Sequence, residues 1–529
     1  MRSPRASLRI ARTLLSTQYA YMLEYRAEIA LWALSGVLPL IMLGVWQNSG
    51  AASQAGWSPA QLRHYFVAAF IVRQFSVVWL IHVFEEDVVS GKLSPFLLQP
   101  LQPLWRYFAA HLAEQATRIP FVALMLLALT AVDPGLLWRP SLQELLLGLM
   151  ALWGAFVLRF LLQTLSSMLC FWSERAAALD RLLVIPYLFL SGLVAPLDTF
   201  PPAIQRFALA TPFPAMVDFP ARLLSGLPVD LGGGYLSLLI WCLVLSPLCQ
   251  PPLLLGLAEG AAAVRSHGRM RRSKTLAMLL QFWRSSLESE SEYQLNLVLE
   301  CLSVLGNLAG SLFVLSLLFS GQSTLGGWTW NEALIVLGLY TLLDGFTSCL
   351  LQPNLSKIVN HVQQGTLDFV LLKPVDSQLW LSLRCFSPWG APGLLAGCVL
   401  VVLGLPEIRP QALLLGGLLL ASGAAILYSL WFSLAALSIW FVKVWNATEV
   451  LRYTLVAGRY PVSAYPPALR LVFVFVLPVA FMTTVPSQAL LGQGSWHWAL
   501  GSVLMAAGSL IASRLFWQFA LRHYTSASS

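Results

Sequence analysis

The chain predicts an all-α polytopic membrane protein, with about 12 transmembrane helices set as two parallel six-helix repeats. Three observations predict it. Of 529 residues, 57% are hydrophobic and 11% are charged, against about 25% charged in a soluble domain. So few charges cannot cover a water-facing surface, and lipid is the solvent for most of the chain. Apolar runs of about 20 residues recur, the length that crosses the hydrocarbon as a helix bonded within its own segment. The alternating pattern of a membrane barrel is absent. Finally, a ten-residue frame, Gly-x-Leu-x-x-x-Leu-Leu-x-Pro, occurs at Gly91–Pro100 and again at Gly365–Pro374, each time between two apolar runs.

The elements follow in order. Ser7–Glu28 mixes Arg9, Arg12, Glu24, Arg26 and Glu28 with Leu8, Leu14, Leu15, Tyr19 and Met22, which suits a helix lying at the membrane interface. Spans are then predicted over Ile29–Trp46, Tyr65–Phe84, Phe108–Val132, Leu145–Phe171, Leu182–Ala195 and Tyr235–Leu257, with a Pro-rich segment, Pro196–Gly234, before the sixth. The linker Val264–Thr275 is basic and polar. A second amphipathic stretch, Leu276–Tyr293, opens the second half. Its spans are Asn296–Phe319, Glu332–Leu351, Leu383–Leu405, Leu413–Val442, Val450–Arg459 with its neighbours, and Trp496–Leu521. The fifth span of each half is short or polar. The division is therefore a six-span unit 1–263, a linker 264–275 and a six-span unit 276–529.

The repeat extends beyond one frame. Gly56-Trp57-Ser58 matches Gly327-Trp328-Thr329, and Phe200-Pro201-Pro202-Ala203-Ile204 matches Tyr465-Pro466-Pro467-Ala468-Leu469. Downstream, Pro212, Pro220 and Gly226 match Pro478, Pro486 and Gly492. Landmarks in one order, at a slowly drifting offset, indicate duplication.

The net charge is +8, and its placement orients the spans. Basic residues cluster at Arg2, Arg5, Arg9 and Arg12 and at Arg265, Arg269, Arg271, Arg272 and Lys274. The predicted outer loops Gln47–Trp57 and Gly321–Asn331 hold no Lys or Arg. Positive loops stay cytoplasmic, so both termini are expected there, with the halves related by an axis along the membrane normal. A basic run this short between two spans is a topology signal and not a nucleic-acid-binding tail. The apolar run near Ile29 is long and lacks a cleavage pattern, so it reads as a retained span. The seven cysteines lie in or beside spans without Cys-x-x-Cys spacing and read as small core residues.

Physically, each repeated frame describes a small device. Gly365 can end span 8 in a left-handed conformation, Thr366 can cap a short helix, and Pro374 stops it. Leu367, Val370, Leu371 and Leu372 are expected on one face. In the first copy Pro95 falls in the first turn, where its missing N–H costs little. The acidic run Glu85-Glu86-Asp87 precedes that copy, open to a basic partner.

This order of elements resembles the permease subunits of type-2 ATP-binding-cassette (ABC) exporters. There an amphipathic helix precedes six spans, a coupling helix between spans 2 and 3 docks on the ATPase, and a Pro-containing re-entrant segment lies outside between spans 5 and 6. The matching stretches are Glu85–Pro100 and Lys357–Pro374 for coupling, and Phe200–Gly226 and Tyr465–Gly492 for the outer segment. The resemblance implies ATPase-coupling roles for Gly91, Leu93, Leu97, Leu98 and Pro100, and for Gly365, Leu367, Leu371, Leu372 and Pro374. It also implies a fused pair needing no further permease subunit, two separate ABC ATPase subunits as partners beside membrane lipid, and a bacterial cytoplasmic (inner) membrane location.

No Gly-x-x-x-x-Gly-Lys-[Ser/Thr] phosphate loop occurs and no soluble stretch is long enough for an ATPase. ATP and Mg²⁺ are therefore expected on the partner, with no cofactor on this chain and no enzyme site of its own. Arg73 and Arg159 lie mid-span, at a cost of roughly 2.5–3.5 kcal/mol each on translocon scales. They read either as substrate-path residues or as structural pairs with a group such as Asp344 or a backbone carbonyl. His82 reads as a packing or interfacial residue. Trp46, Trp57, Trp138, Trp328, Trp330 and Trp496 sit at span ends as interface anchors. The leading function is export of a hydrophobic, lipid- or drug-like substrate. The alternative is an ion-gradient-driven secondary transporter, which needs intramembrane carboxylates, Asp344 being the main one. An embedded enzyme lacks a catalytic cluster.

Overall fold

The computed structural model describes residues 4–24, 26–97, 99, 101–171, 177–249, 294–373, 375–440, 451–452 and 455–524. Among them no strand forms. Nine helices are long and apolar enough to cross a membrane, or up to eleven if two bent helix pairs each count as one span. The chain divides into two compact units that do not coincide with the two halves of the sequence. The first holds Met1–Leu43, Ala52–Gly268 and Leu305–Leu317; the second holds Gly44–Ala51, Arg269–Val304 and Leu318–Ser529. The basic linker and the second amphipathic stretch lie outside the described residues.

The first unit begins with α1 (Pro4–Glu24), the expected amphipathic helix, and α2 (Arg26–Ser35). With α3 (Leu38–Gln47), α2 makes the first span, Ile29–Gln47. Span 2, Pro59–Val89, is broken into α4 (Pro59–Ser76) and α5 (Leu80–Val89). A short α6 (Ser94–Leu97) leads to α7 (Pro103–Val132), α8 (Leu142–Met168) and α9 (Ala177–Leu190). The Pro-rich segment contains α10 (Pro202–Leu209) and α11 (Asp218–Leu224), and α12 (Leu231–Leu248) follows.

The break at Val77-Val78-Trp79 leaves backbone groups that lipid cannot satisfy. Side chains one turn apart on α7 satisfy them. Arg118 Nη1 donates to the Gln74 carbonyl (2.7 Å), Gln115 Nε2 donates to the Phe75 carbonyl (2.7 Å), and His111 Nε2 accepts from the Trp79 N–H (3.0 Å). Glu114 pairs with Arg118, so that buried guanidinium is not alone.

The second unit takes in the ends of α13 (Gln294–Phe319). Span 8, Trp330–Val362, runs as α14 (Trp330–Phe346), one π-helical turn (Thr347–Leu351) and α15 (Gln352–Gln363). The short α16 (Leu367–Leu371) leads to α17 (Ser377–Leu383) and α18 (Ala391–Gly404), a pair bent by 59°. Then come α19 (Pro410–Ala436), a helix pair carrying α20 (Pro467–Leu471) and α21 (Val485–Leu490) and bent by 78°, and α22 (Trp496–His523).

The irregularity has changed places between the units. In the first, span 2 is broken and span 3 supplies the polar side chains. In the second, span 8 continues through its π turn and span 9 is broken after Leu383. Asn354 of α15 then serves the broken backbone both ways, donating to the Cys385 carbonyl (2.6 Å) and accepting from its N–H (2.7 Å). At the 274-residue offset, Cys385, Trp389 and Pro392 stand where His111, Gln115 and Arg118 stand.

The paired landmarks adopt paired conformations. Gly56 and Gly327 have φ of +83° and +87°, and Gly226 and Gly492 have +68° and +71°. Ser58 and Thr329 cap α4 and α14, and their N–H groups donate to Gln61 (2.9 Å) and Glu332 (2.8 Å). Three expectations need correction. The fifth span, predicted over Leu182–Ala195, is the 14-residue α9 ending at Leu190, about 21 Å at 1.5 Å per residue and too short to cross alone. The eleventh, Val450–Arg459, is described only at Leu451, Arg452 and from Leu455, where Val456–Arg459 is a 3₁₀ turn. Trp46, Trp57 and Trp328 are buried in protein, not interface anchors, whereas Trp330 and Trp496 are exposed. The left-handed glycines turn Trp57 and Trp328 inward, and Trp57 packs edge-on to Tyr65.

Candidate docking segments and intramembrane charges

Both repeated frames begin as the residues dictate. Span 2 ends with Ser90 N–H on the Glu86 carbonyl and Gly91 N–H on that of Val88; span 8 ends with Gln364 on Asn360 and Gly365 on Val362. Gly91 and Gly365 then turn the chain at φ of +71° and +65°, a region open to glycine at little cost. The turn drives one leucine of each copy into its unit. Leu93 joins a core with Leu80, Phe84 and Tyr107, and Leu367 one with Leu355, Ile358 and Trp380. Each such burial contributes roughly 1.5–3 kcal/mol.

Beyond that anchor the copies diverge. In the second, Val370 is also buried, while Phe369, Leu371 and Leu372 are 67%, 38% and 80% exposed. Leu371 and Leu372 therefore do not share the buried face as expected. α16 is too short for a full apolar stripe, and Leu372 falls beyond its last turn. Thr366 does not cap α16; its hydroxyl meets His361 Nδ1 at 2.7 Å. In the first copy Pro95 lies in the first turn of α6, as its chemistry requires, and Phe96 lies under the Arg106 guanidinium at 3.7 Å. The acidic run is engaged internally: Glu86 pairs with Lys92 at 2.7 Å, and Asp87 accepts from the Tyr107 hydroxyl at 2.6 Å. Hydrogen bonding to Glu86 raises the Lys92 ammonium above its ordinary pKa. The Leu97 side chain, Leu98, Pro100 and Pro374 lie outside the described residues.

Of the intramembrane charges, Arg73 is buried, with Nη2 3.5 Å from the Ser35 carbonyl. Arg159 stacks over Tyr187 at 4.0 Å. Asp344 lines a cavity of the second unit beside Tyr340 and Arg452. His82 Nε2 lies 3.8 Å from the Asp180 carboxylate. Sequence reading missed the Glu114–Arg118 pair and its neighbours His111 and Gln115, although their spacing of three and four residues in an apolar span is a legible polar stripe. It also missed a buried network at the first Pro-rich segment. There Tyr65 donates to Asp218 (2.8 Å), and Arg222 reaches Asp218 and Asp198, both at 2.9 Å. The signal was Asp218 and Arg222 one helical turn apart.

A family model described as ABC-2 family transporter protein matches the chain twice, over 33–257 and 305–528. The chain belongs to the ABC-2 transporter family. No characterised relative and no solved structure matches it at a significant level. This ABC-2 protein is an integral membrane transport component of duplicated architecture. The two matched regions each contain one copy of the repeated frame, with its left-handed glycine and buried leucine.

Proposed function

We propose that this chain is the complete membrane-spanning permease of an ABC exporter, moving a hydrophobic, lipid- or drug-like substrate with ATP hydrolysed on two separate subunits. Those subunits dock on 91–100 and 365–374. The carrying observation is the second segment, where a buried Leu367 and Val370 hold Phe369, Leu371 and Leu372 out to solvent. Exposed large apolar groups on a rigid anchor are what a protein partner buries. On this reading, closure of the ATPases pushes each segment against its own span 2 or span 8. ATP and Mg²⁺ stay on the partner, the fused halves need no further permease, and both termini face the cytoplasm of a bacterial inner membrane. The division at 1–263, 264–275 and 276–529 is the unit of duplication.

Affinity purification from the source cells tests this. An ABC ATPase should copurify, and Phe369→Ala with Leu372→Glu should cut its recovery at least tenfold while the permease keeps its melting temperature. Recovery of no ATPase, or unchanged recovery by the double variant, overturns the docking reading. Ion-gradient transport keeps one specific support, the cavity-lining Asp344. It requires transport that stops on collapsing the gradient and survives removal of the ATPase.

A further inference from the structure

The end of span 8 beside the second repeated frame carries charge that the docking reading does not use. From Gln352 to Gly404 the sequence holds four basic residues, Lys357, His361, Lys373 and Arg384, and the fold gathers them round the buried Trp380. Lys373 Nζ lies 3.8 Å and Arg384 Cζ 4.6 Å from the Trp380 ring centre, and the His361 ring lies 6.4 Å from it. Lys357 Nζ donates to Cys385 Sγ at 3.0 Å, next to Arg384. Lys357, Lys373 and Arg384 all act electrostatically on the His361 ring. Burial and the Arg384 guanidinium lower the Lys373 ammonium from its ordinary pKa. The same stretch holds two carboxylates, and both are engaged elsewhere: Asp376 pairs with Arg514, and Asp368 lies against the Tyr524 hydroxyl. Among the described residues neither Lys357 nor Lys373 meets a carboxylate, and both are exposed. A ring face or a thiol takes one side of an ammonium and leaves its other N–H donors to a ligand.

Depth and the other copy narrow what the cluster meets. Lys357 stands 27 residues beyond Trp330, the start of span 8, about 40 Å along a helix. The hydrocarbon takes about 30 Å and the headgroups carry the bilayer to about 40–45 Å, so this lysine stands level with headgroup phosphates. At the 274-residue offset, Val83, Asp87, Gln99 and Ala110 stand where Lys357, His361, Lys373 and Arg384 stand. The cations that the first frame does hold are occupied, Lys92 by Glu86 and Arg106 by Phe96. A topology signal would mark both copies; this cluster marks one. We propose that it binds the phosphate of an anionic bilayer lipid, of the phosphatidylglycerol kind, and so ties the second repeated frame to the membrane surface. Lys and Arg gathered at that surface attract anionic headgroups together, and a zwitterionic headgroup brings a cation of its own into the same repelling field. An acidic protein surface would suit the charge but has no need of the depth. The site stands on the second unit's own residues and does not rest on the ATPase reading.

The test titrates the purified, delipidated full chain in neutral detergent, by native mass spectrometry or thermophoresis. The probes are a short-chain phosphatidylglycerol, the matching phosphatidylcholine and inorganic phosphate. Phosphatidylglycerol should bind at least tenfold more tightly than phosphatidylcholine, weaken in high salt and resist competition by millimolar phosphate. Lys357→Gln with Lys373→Gln should weaken phosphatidylglycerol at least tenfold while phosphatidylcholine binding and the melting temperature hold. Arg409→Gln, which removes an exposed cation paired with Glu407, should change none of these. Equal binding of the two lipids by the unaltered chain, or no binding, overturns the site without relying on any variant's folding. Displacement of the lipid by inorganic phosphate overturns the lipid and leaves a free-anion site. Unchanged selectivity in the folded double variant overturns the residue assignment, and a fall in ATPase recovery alongside it makes the cluster a protein contact. Loss of lipid selectivity with ATPase recovery unchanged supports the lipid site and leaves the docking reading where it stood.

Discussion

Trp79 gives its backbone N–H to His111 Nε2, and Nδ1 of the same ring lies 2.8 Å from the Tyr107 carbonyl. With Nε2 accepting, the ring must be neutral with its proton on Nδ1, which donates to Tyr107. A leucine at 111 fills the volume but strands the Trp79 N–H inside the bilayer, and an unsatisfied buried donor costs about 1–3 kcal/mol. His111→Leu should therefore lower the melting temperature in detergent, and His111→Gln, whose side-chain carbonyl can accept the same bond, should recover part of the loss. Equal melting of the two variants would show that the ring serves packing alone. The polar stripe His111, Gln115 and Arg118 was visible in the sequence, yet its purpose was not. Hydropathy measures a residue's own cost of burial and is blind to a broken backbone on the neighbouring helix. Arg73, which the sequence leaves open between a substrate-path and a structural role, lies 3.5 Å from the Ser35 carbonyl.

At the scale of elements, the glycine turns were read well, and the Thr366 cap and span continuity badly. The Gly-Trp-[Ser/Thr] landmarks and the glycines of the repeated frame depend on local chemistry, and both copies of each take the same left-handed turn. Whether an apolar run crosses straight or bends depends on what lies across from it, so the breaks in spans 2 and 9 were not apparent despite Pro388 and Pro392. The helix that precedes the break in span 9 is secured at its start. Asp376 caps α17, its Oδ1 accepting from the Leu379 N–H at 2.9 Å, and pairs with Arg514. Burial alone would raise its pKa, but the Arg514 guanidinium and the Leu379 N–H outweigh that and hold it below its ordinary value of 3.8. A carboxylate depressed in the folded state stabilises it fully above the unfolded value, and loses that contribution as pH falls through the folded one. Asp376→Ala should cost about 0.5–2 kcal/mol near neutrality, and the gap in melting temperature to the unaltered protein should close as pH drops below about 4. A gap that does not narrow at all as pH falls below about 4 would assign the effect to packing and not to charge.

For the whole molecule, the duplicated sequence and the packed units have different boundaries, and the difference is testable. The sequence reading divides the chain at 264–275, yet Leu305–Leu317, from the second predicted unit's first span, belongs to the first compact unit. Within that unit Phe313 packs edge-on to Phe200 at 5.0 Å between ring centres, and a Cβ added at Gly310 would stand 2.3 Å from the Phe189 ring. The reciprocal piece is Gly44–Ala51 in the second unit, where the Asn48 amide donates to the Ala464 carbonyl at 2.8 Å. Duplication was legible because landmarks recur in order. The exchange was not, since an apolar stretch carries no record of which core it fills. A fragment 1–263 produced alone therefore lacks part of its own core, and opens Phe189 and Phe200 where α13 should lie. It should melt lower than the intact chain or aggregate in detergent, whereas co-expression with 276–529 should restore a copurifying pair melting within a few degrees of the intact protein. Gly310→Phe in the intact chain should reproduce part of the fragment's defect, because overpacking at so close an approach costs about 1–3 kcal/mol. If 1–263 alone is as stable as the pair, the exchanged segments contribute little, and each half of the duplication folds around a core of its own.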